Sequence, residues 1–153
     1  MRRFFVALLL LGSLAAGFAS DAVTGSVIKV LPLLLNSQGR DALSPSLYDR
    51  DAYQVYLRQH TNEISALRFD VLWKASGAGS ANLKLRIELR GVGTNSLPRQ
   101  IALEQPVTPG FFRSWTSLTL AGPDYKTFGD LVAWRATLWS DDRLLADQKS
   151  FLW

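Results

Sequence analysis

Beyond residue 62 the chain alternates between apolar and polar positions with a period of two. Leu83, Leu85, Ile87 and Leu89 alternate with Lys84, Arg86, Glu88 and Arg90. This predicts a strand with one face on a core and the other in water, the habit of antiparallel sheets. Leu67, Phe69, Val71 and Trp73 alternate in the same way with Arg68, Asp70 and Lys74. Further strands are predicted over Gln100–Gln105, Phe112–Leu120, Leu131–Trp139 and Leu144–Trp153, the last two forming a hairpin. Val27–Leu35 is another apolar run, and Pro32 within it suits an edge strand or a bend. Ser76–Ser80, with its two glycines, and Gly122-Pro123-Asp124 read as turns.

One segment has the helical period instead. Over Ser46–Gln59, Tyr48, Ala52, Val55 and Tyr56 fall on one face, and Arg50, Gln54 and Arg58 line the opposite side. The tyrosine face is expected to pack and the other to be solvated. The N-terminal cap is either Ser44, with Pro45 at the first helical position, or Ser46, with Asp49 three residues later. About seven short strands and one inserted amphipathic helix (about 46–59) predict an all-β fold, an antiparallel β-sandwich.

The C-terminal segment WRATLWSDDRLLADQKSFLW resembles the last two strands of bacterial immunoglobulin-like and fibronectin type III-like domains. The resemblance implies an immunoglobulin-like sandwich. It implies nothing about activity, because such sandwiches host many unrelated functions. The chain lacks the disulfide of true immunoglobulin domains, since it has no cysteine.

Residues 1–19 read as a secretory signal peptide. Arg2 and Arg3 precede an apolar run from Phe4 to Ala19, and Gly17 and Ala19 are small residues placed for cleavage after Ala19. The apolar run is about 16 residues, short of the roughly 20 that span a bilayer. Residues 20–153 are expected to form a single β-sandwich domain, periplasmic or extracellular, with no transmembrane segment. Cleavage removes Arg2 and Arg3 and lowers the formal charge of +4 by two. So mild a charge does not point to nucleic acid, whose phosphates are normally met by a concentrated basic patch.

Candidate chemistry is sparse. His60 is the only histidine and lies at the end of the helix, where a basic group interacts with the last carbonyls. One histidine and no cysteine cannot assemble the usual metal site. No G-x-S-x-G elbow is present. Asp49 and Asp51, two apart on a helix, point in different directions, and Asp124, Asp141 and Asp142 fall in turns. No catalytic, cofactor-binding or metal-binding residue is therefore assigned, and no cofactor is expected.

Aromatic residues are the better lead. Trp73 and Trp134 follow the apolar parity of their strands and are expected in the core. Trp139 has the opposite parity. A three-residue loop, Asp141–Arg143, would put Trp139, Phe151 and Trp153 on one outer face with Arg135 and Lys149. Such a group could stack on sugar rings or grip a protein. The competing, favoured reading is that the helix buries Tyr48, Val55 and Tyr56 against that patch. The row Lys84, Arg86 and Arg90, interrupted by Glu88, reads as a solvated strand face. A membrane barrel fits poorly, because its strands would need outward apolar bands throughout.

These residues predict an exported, non-enzymatic domain, a protein-interaction or structural component of the bacterial cell envelope. Its partner would be another envelope protein or a polysaccharide. The alternatives are a small carbohydrate-binding module using the outer aromatics and a hydrolase with a carboxylate pair formed by distant residues.

Overall fold

A computed structural model describes residues 22–77, 81–93 and 95–153. The expected leader, 1–19, lies outside the described residues, as does part of the glycine-bearing turn 76–80. The elements in chain order are β1 (Thr24–Asn36), α1 (Leu47–Gln59), β2 (Ile64–Ser76), β3 (Leu83–Val92), β4 (Pro98–Val107), β5 (Ser114–Ala121), α2 (Gly122–Phe128), β6 (Asp130–Ser140) and β7 (Arg143–Lys149). A single 3-10 turn, Thr61–Glu63, links α1 to β2. The strands form two sheets, β1-β2-β5 and β4-β3-β6-β7. Every pairing is antiparallel.

Period-two alternation builds the core between the sheets. Phe69, Val71 and Trp73 of β2 and Leu118 and Leu120 of β5 face Leu85, Ile87 and Leu89 of β3 and Ala136 and Leu138 of β6. Trp73 is buried, and its indole N–H donates to Thr116 Oγ1 at 2.9 Å, so its one polar atom is satisfied. Trp134 packs half-buried against the same cluster. Pro32 lies in β1, an edge of the three-stranded sheet, where its missing N–H is tolerated. Near its start β1 runs close to β7, and Arg143 donates to the Val23 carbonyl there.

Gly122-Pro123-Asp124 does not make a turn between strands; it starts a second helix, α2. Proline at the head of a helix gives up an N–H that has no intrahelical partner. Gly122 takes the positive φ of 64° that the preceding bend requires. Tyr125 and Phe128, three apart, then both reach the core, and Phe128 is buried. Gly129 ends α2 at a φ of 76°, where a Cβ would lie 2.1 Å from the Val92 carbonyl oxygen.

The helix α1 is where it was expected, with Ser46 as its N-cap accepting from the Asp49 N–H at 3.4 Å. Its orientation is not as expected. Gln54 and Leu57 are buried, Tyr53 is half-buried, and Tyr48 is 83% exposed. The reason is the edge strand. Leu34 of β1 has no strand on its outer side, and the Gln54 amide takes that place. Its Oε1 accepts from the Leu34 N–H at 2.8 Å, and its Nε2 donates to the Leu34 carbonyl at 2.9 Å. The same Nε2 donates to the Asp41 carbonyl at 2.9 Å, and Asn36 Nδ2 donates to Tyr53 OH at 3.0 Å. Leu33, Leu35 and Ala66, on the outer parity of this sheet, are buried on the α1 side together with Leu57. Unmet backbone groups on a partly buried edge cost more than leaving tyrosines half-wet.

Two stability predictions follow from these contacts. Gln54→Ala strands a backbone N–H and two carbonyls, and lowers the unfolding free energy in urea by about 2 kcal/mol. Gly129→Ala forces both an unfavourable φ and a clash, and costs about 3 kcal/mol in the same measurement.

Candidate functional site

The aromatic set expected from the sequence is not one platform. The β6–β7 loop is two residues, Asp141–Asp142, with Ser140 opposite Arg143. A bulge at Leu145 follows, because Trp139 pairs with Leu144 while Leu138 pairs with Ala146. Past the bulge the register equals that of a three-residue loop, so Arg135 stands opposite Lys149. The strand itself stops at Lys149, four residues earlier than expected. The chain then turns, the Trp153 N–H donating to the Ser150 carbonyl at 3.2 Å.

Trp139 lies opposite Lys84, and its indole donates to Thr137 Oγ1 at 2.9 Å. Trp153 lies under the Arg90 guanidinium, 3.9 Å from the ring centroid. Six positions of β3 separate Lys84 from Arg90, about 20 Å at the rise of a strand. The space between is occupied by ion pairs: Lys84 with Glu104 at 3.2 Å, Arg86 with Glu104 at 3.0 Å and Glu88 at 2.9 Å, and Arg135 with Asp147 at 3.1 Å. Phe151 is 99% exposed and meets neither tryptophan in a ring contact. Of the five expected residues, Arg135 and Trp153 share a hollow of about 460 Å³ with Arg86, Glu88, Arg90 and Gln100. Trp139, Phe151 and Lys149 lie outside it.

The helix does not cover these aromatics. It packs on β1, the far sheet, so the expected burial of Tyr48, Val55 and Tyr56 against them is replaced by exposure. The outward side of α1 therefore presents Tyr48 and Val55, with Tyr56 at its border, and Leu43 of the preceding loop is exposed as well. A hollow of about 560 Å³ opens on this side, lined by Leu43, Asp49, Ala52, Tyr53, Tyr56 and Glu63. Its aromatic wall is ordered. Tyr53 and Tyr56 stack at 5.7 Å, and Tyr56 stacks on His60 at 4.0 Å. His60 Nδ1 donates to the Tyr56 carbonyl at 2.9 Å, the helix-end role its position suggested. The Tyr56 hydroxyl donates to Glu63 Oε1 at 2.7 Å. That hydrogen bond, then desolvation and the carboxylate charge, raise the Tyr56 phenol above its usual 10.0.

Sequence reasoning missed this face because it assigned the tyrosines inward. The available signal was Gln54, which lies on the side read as solvated and is the residue of that side able to satisfy both groups of a strand edge. Elsewhere, Asp124 sits in the first turn of α2, and Asp141 and Asp142 form the hairpin turn. No group of three or more His, Cys, Asp or Glu residues converges among the described residues.

The strand order identifies the fold. In a seven-strand immunoglobulin sandwich, strands one, two, five and four form one sheet, and three, six and seven the other. Here β4 has joined β3 instead, as the added strand C′ does in variable-type domains. A solved protein from Akkermansia muciniphila superposes with a TM-score of 0.52 at 12% identity, over 84% of this chain and 71% of that one. The domain is an immunoglobulin-like β-sandwich. An immunoglobulin-like protein from Pseudomonas aeruginosa aligns over 86% of this chain and 96% of its own, at 16% identity and a TM-score of 0.39. No family model and no curated protein matches the chain. No helix among the described residues is long and apolar enough to cross a membrane.

The tyrosine chemistry gives a direct check. A raised folded-state pKa favours the protonated phenol, so the Glu63 contact is fully present below pH 10.0 and lost as pH rises through the folded value. Glu63→Ala brings one tyrosine of the ultraviolet phenolate titration back toward 10.0 and leaves Tyr125, raised by burial, in place.

Proposed function

We propose that this chain is an exported, non-enzymatic immunoglobulin-like domain that binds another protein of the bacterial cell envelope through the outward face of α1. The observation that carries the reading is the apolar face itself. Tyr48 is 83% exposed and Val55 50%, on a helix whose opposite side is locked to the sandwich. Clustered exposed apolar residues of this kind mark interaction sites, and tyrosine is a frequent anchor at them. The helix backbone is already docked, so only side-chain ordering opposes binding. The basic start and apolar run of residues 1–19 support export. Asp124 lies in the first turn of α2 and Asp141 Oδ1 accepts from Asn82 Nδ2 at 3.1 Å, structural placements that support a binding role over a hydrolytic one.

A second reading rests on the other face. The hollow beside Trp153 offers the guanidinium of Arg90, itself stacked on the indole, and the amide of Gln100, groups suited to a sugar. Arg135 shares that hollow, but Trp139, Phe151 and Lys149 would take no part. Trp153 fluorescence during a polysaccharide titration reports on it, and Trp153→Ala removes the response.

The preferred reading is tested by photo-crosslinking in the producing cell. A benzophenone amino acid at Tyr48 or Val55 is expected to yield a discrete protein adduct, while the same group at Asp142 yields none. Equal labelling at all three positions, or none at any, overturns the reading.

A further inference from the structure

We infer that the hollow on α1 receives a lysine or arginine side chain of the partner protein; this rests on the interaction reading above and specifies its chemistry. The hollow joins two kinds of surface. Leu43, Ala52 and the rings of Tyr53 and Tyr56 form apolar walls, and Asp49 and Glu63 supply charge, all of it negative. A long basic side chain has the matching anatomy, an aliphatic stem and a cationic head. An aliphatic residue would leave both carboxylates facing apolar surface, and an acidic one would meet like charge.

Both carboxylates are free to accept a cation. Neither Asp49 nor Glu63 has an ion-pair partner among the described residues. The neighbouring Arg50 is engaged with Asp51 at 3.3 Å. Each carboxylate is instead positioned by a hydroxyl, Asp49 by Ser44 Oγ and Glu63 by Tyr56 OH, contacts that orient one oxygen and leave the other open. The wall is rigid as well. Tyr53 is held by Asn36 of β1, and Tyr56 lies between the rings of Tyr53 and His60. The site is therefore preorganised, on a chain whose formal charge of +4 falls by two once Arg2 and Arg3 are removed. A local negative hollow on a positive protein selects a basic segment by orientation as well as contact.

The test uses two blocked tripeptides, acetyl-Gly-Lys-Gly-amide and its norleucine counterpart, titrated into the folded protein and followed by NMR. The lysine peptide is expected to shift the signals of Ala52, Tyr53, Tyr56 and Glu63 saturably. The norleucine peptide is expected to bind at least about fivefold more weakly, as loss of a modest ion pair implies. Asp49→Asn and Glu63→Gln, which keep side-chain size and an acceptor oxygen, each weaken the lysine peptide about threefold and leave signals of the sandwich core unmoved. Equal binding of the two peptides, shifts centred on Asp141 and Asp142, or unchanged affinity in both variants overturns the inference. Crosslinks at Tyr48 without lysine selectivity overturn the inference alone. Lysine selectivity without crosslinks overturns the protein partner and, with it, this assignment of the hollow.

Discussion

The Gln54 amide on the edge of β1 determines the rest of the arrangement. It supplies Leu34 with both a donor and an acceptor, as a neighbouring strand would, and ties the loop carbonyl of Asp41 to the same point. A sandwich edge left open is a template for unwanted pairing, and natural sheets cover it by several means. Here the cover is a helix, and the contact that aligns it is polar. Once Gln54 faces the sheet, helical geometry sends Leu57 inward and Tyr48, Ala52 and Val55 outward.

That geometry links fold to function. The same helix that protects the edge displays Tyr48 and Val55 to solvent. Tyr53 and Tyr56 sit at the boundary, one bonded back to Asn36 and the other forward to Glu63. The binding face is thus a consequence of edge protection, and its rigidity comes from the anchoring on β1. Breaking the anchor would disturb the face even though no anchor residue except Tyr53 lines the hollow.

The opposite sheet shows a different balance. Its outer surface is a lattice of ion pairs around Arg86, with the Trp139 and Trp153 rings at its two ends. Exposed pairs of this kind contribute little to stability each, about 0 to 1 kcal/mol. They do keep the outward row of β3 polar and separate the aromatics. Trp153 reaches its place because the chain turns after Lys149, so its neighbours are set by the turn and not by strand parity.

Much of the fold was legible in the residues. Strict alternation at Leu83–Arg90 and Leu67–Lys74 marked the central strands, their inward faces and the antiparallel habit, because side-chain direction along a strand is a local property. The helix and its two candidate caps were equally local. The orientation of α1 was not, because it depended on which backbone groups of the edge strand β1 stayed unpaired, and those are the N–H and carbonyl of Leu34. The seat of Trp153 on Arg90 likewise arose from a contact between segments distant in sequence. Hydrophobic periodicity determined which residues could be buried. Only the assembled sheets decided which backbone groups still lacked partners, and satisfying them chose the face that this protein turns to its surroundings.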